Sequence, residues 1–240
     1  MDKSLWNTYN NSICHSLCGV RPLRLRLFTA QKKGEADIEM KTVFLHGLGQ
    51  TARDWQAVIS RTTLPDADCP ELFSLSKGNI SYSGILAGLE KRYRNEKESF
   101  RICGLSLGAL LALDYAIRHG SQISSLVLIG VQYKVPTLLI DFQNLLFRCM
   151  PKKSFADMGM AKQDVISLSR SMRSLDFSRG LHKIKCPVTL LCGEKDHANL
   201  KASRQLEKLL PQAKLHIIPG AGHELNQCAP DAIAAVLAEE

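Results

Sequence analysis

Phe100-Arg101-Ile102-Cys103-Gly104-Leu105-Ser106-Leu107-Gly108-Ala109-Leu110-Leu111 is the stretch that decides how this chain is read. Phe100–Cys103 is a short, mostly apolar run of the kind found in strands covered on both faces. From Leu107 to His119 the apolar residues recur with helical spacing. Between them lies Gly104-Leu105-Ser106-Leu107-Gly108, a G-x-S-x-G pattern. The bare pattern recurs by chance because Gly and Ser are common residues, so its setting matters more than its letters. A tight turn from strand to helix strains the backbone and brings a neighbouring element close, and both demand glycine. Ser106 would then stand above the sheet, at the positive end of a helix. Its simplest other role is that of an N-cap serine.

Working outward, short apolar runs alternate with helix-period segments. Strands are predicted at Thr42–Leu45, Glu71–Leu75, Phe100–Cys103, Ser125–Ile129, Val188–Cys192 and Leu215–Ile218. Helices are predicted at about Arg53–Arg61, Ser83–Arg94, Leu107–His119, Lys201–Leu210 and Pro230–Glu240. Pro230 suits a first helical turn, where its missing N–H does no harm. The alternation implies an α/β fold with a doubly wound, mostly parallel sheet and helices on both faces. The rhythm breaks between Gly130 and Cys186, where helical patterns appear at Thr137–Met150 and about Lys162–Leu175. That stretch reads as a short helical cap over the carboxyl end of the sheet, spanning about residues 131–180.

Residues 1–39 read differently, with Asn-rich polar stretches and an alternating Leu23-Arg24-Leu25-Arg26-Leu27 run. The alternation permits an edge strand, but Met40 opens straight into a buried-strand pattern. The expectation is a poorly ordered leader over 1–39 and a folded domain over 40–240.

Composition narrows the classes. The 240 residues, 45% hydrophobic and 22% charged, fit one large globular domain and exclude global disorder. No run of about 18 apolar residues marks a membrane span. Eight scattered cysteines do not form a disulfide framework, and no signal-peptide core precedes them, so a reducing cytoplasmic setting is expected. The net charge of +8 is concentrated: residues 131–180 hold eight basic side chains and four acidic ones. No aromatic residues interleave with the basic ones, so no nucleic-acid partner is expected. The excess would suit a substrate with an anionic group away from its reacting bond. The apolar Leu138–Phe147 run, with Met150, Met158, Met160 and Met172, would suit an acyl pocket. Nothing indicates the oligomeric state.

A serine hydroxyl is a poor nucleophile without a base held by a third group. Two later strands each run into such a group: Val188–Cys192 into Gly193-Glu194-Lys195-Asp196, and Leu215–Ile218 into Pro219-Gly220-Ala221-Gly222-His223. Parallel strands end on one side of their sheet, so Ser106, Asp196 and His223 are expected at one rim, where such sheets bind ligands. Glu194 is the alternative acid. Singly, Asp196 and His223 could be ordinary capping or surface residues; the order Ser, Asp, His, each after a strand, argues otherwise.

From Met40 onward the chain resembles the α/β-hydrolase family, through the elbow Gly104–Gly108, the acid segment, Gly222-His223, and His46-Gly47-Leu48-Gly49 after the first strand. The resemblance covers about 200 of the 240 residues. It implies a serine hydrolase acting on a small acyl substrate, an ester or thioester, with no cofactor and no metal. Ser106 would be the nucleophile, His223 the base and Asp196 its orienting acid. The backbone N–H groups of Leu48 and Leu107 would form the oxyanion hole, with His46 architectural and Trp55 a packing residue. Ser106 at the elbow argues against relatives that place an aspartate there. Two rivals stand: a non-catalytic small-ligand receptor on the same fold, and an NAD(P)-dependent oxidoreductase, because Gly47-Leu48-Gly49-Gln50-Thr51-Ala52 also fits a dinucleotide fingerprint. If the fold begins at Met40, deleting residues 1–39 leaves melting temperature and activity nearly unchanged; a large thermal destabilisation would instead place Leu23–Phe28 in the sheet.

Overall fold

A computed structural model of the protein describes residues 40–151, 153–156 and 160–239; the expected leader lies outside them. In chain order the strands are β1 (Lys41–Leu45), β2 (Asp66–Asp68), β3 (Phe100–Leu105), β4 (Ile123–Ile129), β5 (Val188–Gly193) and β6 (Ala213–Ile218). The helices are α1 (Gln56–Ile59), α2 (Tyr82–Tyr93), α3 (Leu107–Arg118), α4 (Thr137–Cys149), α5 (Lys153–Ala156), α6 (Lys162–Ser171), α7 (His197–Leu209), α8 (Leu225–Cys228) and α9 (Pro230–Glu239). The sheet order is β2-β1-β3-β4-β5-β6 and every pairing is parallel. This is the expected doubly wound sheet.

Two cores arise from the two-residue period of the strands. Along β4, Leu126 and Leu128 join Val43, Ile102 and Leu190 on the face covered by α2 and α3. Val127 and Ile129 join Phe44, Cys103 and Leu191 on the other, where Trp55, Val58, Ile233 and Val236 pack. Trp55 is fully buried, its ring centroid 5.1 Å from that of Phe44. Arg101 is buried within β3, and its guanidinium donates to the Leu237 carbonyl at 2.9 Å, tying α9 to the sheet.

One predicted strand is corrected. Leu72–Leu75 is a 3₁₀ turn, and the sheet edge is instead the three-residue β2. Leu72 is buried, and its N–H donates to His46 Nε2 at 3.1 Å, so the segment is anchored under the loop that leaves β1. A short apolar run does not distinguish these outcomes, and a solvent-facing edge such as Asp66-Ala67-Asp68 needs no apolar run. Asp68 is held instead by Arg92 and by the Tyr93 hydroxyl.

Between β4 and β5 the chain forms α4, α5 and α6. The neck of this excursion is closed by backbone bonds, Val135 N–H to the Leu175 carbonyl and Phe177 N–H to the Tyr133 carbonyl, each 2.9 Å. Its cations are partly engaged internally: Arg173 forks onto Asp141, Lys134 meets Asp176 at 3.2 Å, and Lys162 caps the Arg148 and Met150 carbonyls. Ile140 and Phe147 of α4 are buried, whereas Leu138 is 84% exposed and Leu145 57%. The apolar excess of this helix therefore goes partly to solvent.

The glycines of the elbow are packing requirements. A Cβ on Gly108 would strike the Leu45 carbonyl of β1, and one on Gly104 would strike the Gly108 carbonyl. Gly108→Ala should cost about 1–3 kcal/mol as overpacking. At roughly 2–4 °C per kcal/mol for a chain this size, thermal denaturation should show a loss of several degrees.

Candidate active site

Five strand ends are level at one rim. The register pairs Leu45 with Gly104, Leu105 with Ile129, Ile129 with Leu191, and Gly193 with Ile218. The loops bearing residues 46–50, 106, 130, 194–196 and 219–223 therefore leave the sheet side by side. Ser106 has φ 54° and ψ −109°, and among the described residues it alone is a non-glycine with positive φ. Such a backbone costs about 1–3 kcal/mol and persists only where its surroundings over-determine it. Here Ser106 N–H donates to the Ile129 carbonyl at 2.9 Å while the two glycines allow the close approach. Leu107 is the first residue of α3, so its N–H has no acceptor within the helix.

His223 and Asp196 are brought together: Nδ1 lies 2.6 Å from Asp196 Oδ2. A bond to a carboxylate puts the proton on Nδ1 and leaves Nε2 as the acceptor. Asn199, in the first turn of α7, donates to both Asp196 oxygens at 2.9 and 2.8 Å, and Gln132 in turn donates to Asn199 at 2.8 Å. The 3.1 Å approach of Asn199 Nδ2 to His223 Nδ1 is two donors converging on one carboxylate, not a bond between them. Glu194 points elsewhere, accepting from Gly220 N–H at 2.8 Å.

Burial acts against both charges, yet the pair overcomes it. Desolvation draws the His223 pKa down, but the hydrogen bond and charge of Asp196, with the charge of Glu224, lift it above its usual value. Desolvation raises Asp196, and the His223 bond and charge together with Asn199 bring it below the usual carboxylate range. The His223 contribution to stability is thus full at low pH and is lost as pH rises through its raised pKa. That of Asp196 is present above the usual carboxylate value and is lost as pH falls through its lowered one.

Gly130 lies between the two: Ser106 N–H bonds the carbonyl of the preceding Ile129, and Gly130 itself packs against the His223–Asp196 pair. Gly130 has φ +57°, and a Cβ there would sit 2.9 Å from His223 Cε1 and 3.4 Å from Asp196 Oδ2. Among the described residues no hydrogen bond joins the Ser106 hydroxyl to His223, whose Nδ1 is engaged by Asp196. His46 is buried and tied at both nitrogens, Nδ1 donating to the Gly47 carbonyl at 3.0 Å and Nε2 accepting from Leu72 N–H. Desolvation dominates there and keeps its pKa below the usual value, so it stays neutral. Asn199, Gly130 and Gln132 were not singled out from sequence. The signals that could have marked them were Asn199 three residues past the acid and a glycine immediately after β4.

The described residues hold no cluster of His, Cys, Asp and Glu that could bind a metal, and no helix of theirs is long and apolar enough to cross a membrane.

With six parallel strands, a strained serine elbow and a carboxylate-bound histidine on one rim, the comparisons with known proteins agree on the class. A model of the "Alpha/beta hydrolase family" matches residues 42–236, and the chain belongs to that family. The match takes in Gly47–Ala52, which removes the ground for reading that segment as a dinucleotide fingerprint. A Bacillus subtilis (strain 168) protein provisionally named 2-succinyl-6-hydroxy-2,4-cyclohexadiene-1-carboxylate synthase is 23% identical, over 82% of this chain and 88% of that one. The structure of MenH from S. aureus superposes with TM-score 0.71 at 17% identity, covering 84% of this chain and 92% of that one. The enol-lactonase from Burkholderia xenovorans LB400 gives TM-score 0.71 at 17% identity, covering 87% and 92%. At these identities the solved structures establish the fold alone.

Asp196→Asn removes the two largest influences that raise the His223 pKa and leaves the smaller charge of Glu224 against the burial that lowers it. An NMR titration should find the parent inflection above about 6.5 and that of the variant below it.

Proposed function

We propose that the protein is a serine hydrolase cleaving a carboxylic ester or thioester through an acyl-enzyme. The observation that carries this reading is the 2.6 Å His223–Asp196 bond on the rim where Ser106 is held in a strained turn. Ser106 Oγ attacks the acyl carbonyl carbon as His223 Nε2 takes its proton, giving a tetrahedral oxyanion. The N–H groups of Leu107 and Leu48 receive that charge; one such donor is typically worth 10²–10³ in rate. Collapse expels the alcohol or thiol, which leaves with the proton from His223. Water, activated by the same nitrogen, then attacks the acyl-enzyme and releases the acid and free Ser106. Asp196 holds the imidazole tautomer and offsets its transient charge, and Asn199 keeps the carboxylate in place.

Cleavage of a cyclic ester, as the lactonase name denotes, lies within this chemistry. Arg173 and Lys134 pair with acids of the same segment, which leaves its basic excess in place; an ester or thioester with an anionic group away from the reacting bond is the finer form of this reading. The competing reading is a ligand receptor that has kept the fold without turnover.

A fluorophosphonate probe separates the two. The parent should label and Ser106→Ala should not; labelling that survives the substitution overturns the assignment, and an unreactive parent supports the receptor. Asp196→Asn should lower turnover of a p-nitrophenyl ester roughly 10⁴-fold, with Glu194→Gln close to parent. Because the base must be neutral and its pKa is raised, kcat/KM should climb with pH through an inflection above about 6.5.

A further inference from the structure

We propose that the paired side-chain amides of Gln50 and Asn226 are positioning residues, a clamp that aims the Leu48 N–H and holds it in register with His223. The inference rests on the hydrolase reading above. It begins from the sheet order: β1 and β6 are four strand spacings apart, roughly 19 Å at the usual spacing. The loops that leave them nevertheless meet. Gln50 and Asn226 are 3% and 0% exposed and bond reciprocally, Gln50 Nε2 to Asn226 Oδ1 at 3.2 Å and Asn226 Nδ2 to Gln50 Oε1 at 3.1 Å.

Further bonds tie the pair to its surroundings on both sides. Gln50 Oε1 also accepts from Gly47 N–H at 3.2 Å, and the Gln50 amide draws the pKa of Glu224, the neighbour of His223, downward against the burial that raises it. Asn226 Nδ2 donates further to the Asp54 carbonyl at 3.2 Å, and Gln227 donates to Asp54 Oδ1 at 2.9 Å. A buried network satisfied in this way is rigid, and losing one member leaves its partners stranded.

The link to chemistry runs through one peptide plane. The Gly47 carbonyl accepts from His46 Nδ1 at 3.0 Å and from Gln50 N–H at 3.3 Å. That carbonyl and the Leu48 N–H belong to the same planar trans peptide and point in opposite directions. Pinning the oxygen therefore fixes where the N–H points. Gln50 holds this loop by its backbone N–H and by its side chain on Gly47 N–H, while Asn226, three residues past His223, holds Gln50. The two halves of the machinery thus share one buried fastening, and misplacement by about 1 Å is enough to cost 10²-fold in rate.

The test compares the parent with Asn226→Leu, Gln50→Leu and the double variant. The readouts are the second-order rate of fluorophosphonate labelling, kcat and KM on p-nitrophenyl butyrate, the pH profile and thermal melts. Each single variant should lose about 10² in kcat and in labelling rate, the scale of one oxyanion donor. KM should stay within about threefold, and in Asn226→Leu the acid-limb inflection should not move because the Asp196–His223 bond is intact. The double variant should fall no further than the worse single variant, since both residues act as one unit. A merely structural pair would lower the melting temperature and leave kcat of the folded protein near parental; that result, or additive losses, overturns the clamp. If Asn226→Leu does not yield folded protein, Asn226→Ser is read by the same criteria. A Ser106→Ala variant that still labels defeats the hydrolase reading and the clamp with it, whereas an inert Ser106→Ala beside a fully active Asn226→Leu defeats the clamp alone.

Discussion

Everything at the rim depends on one backbone hydrogen bond, Ser106 N–H to the Ile129 carbonyl. It extends the β3–β4 ladder by one residue past the end of the strand, into a backbone region that an L residue avoids. The strain is tolerable because every alternative is closed. Relaxing φ would break that bond and push α3 onto β1, where the missing Cβ of Gly108 already leaves no spare room. The neighbouring strand then continues the arrangement, since Ile129 hands directly to Gly130, and Gly130 N–H donates to the Leu191 carbonyl of β5 at 2.9 Å. Elbow, glycine and the strand that leads to the acid loop are thus successive rungs of one ladder, and the positions of Ser106 and Asp196 are set by the register of three strands.

Much of this was legible in the sequence because burial on both faces writes itself into composition. Ile123–Ile129 and Val188–Gly193 are nearly continuous apolar runs, and the residues bounding them are the ones on which chemistry can stand. Ser106 and Asp196 are legible for that reason, each standing within a few residues of a buried strand's carboxyl end, whereas the strand before His223 is a partly exposed edge marked only by its short Leu215–Ile218 run. The other edge was not legible in the same way: β2 is Asp66-Ala67-Asp68, exposed and polar, so no apolar signal marks it. Leu72–Leu75 carries that signal and is a turn, because a single buried leucine and one hydrogen bond to His46 secure it without sheet pairing.

Pairings between distant residues were invisible for a different reason. Gln50 and Asn226 are 176 positions apart, and each alone looks like a polar loop residue. Only the fold reveals that they share a dry environment, and that Asn199 and Gln132 support a carboxylate rather than meet solvent. The basic excess of residues 131–180 was legible as a count but its arrangement was not: Arg173, Lys134 and Lys162 are fastened to acids or carbonyls of the same segment.

The closed neck of that segment has an evolutionary consequence. Because Tyr133–Val135 and Leu175–Phe177 are laced to each other, the ends of the excursion are brought together locally, and its closure entropy does not fall on β4 and β5. Exposed positions between the two laces, such as Leu138 and Leu145, are therefore free to drift with little effect on the strands beneath, whereas Ile140, Phe147, Val165 and Leu168 belong to the core they share with the sheet. The outer surface of the excursion and the sheet beneath it can then diversify on separate clocks within a single polypeptide.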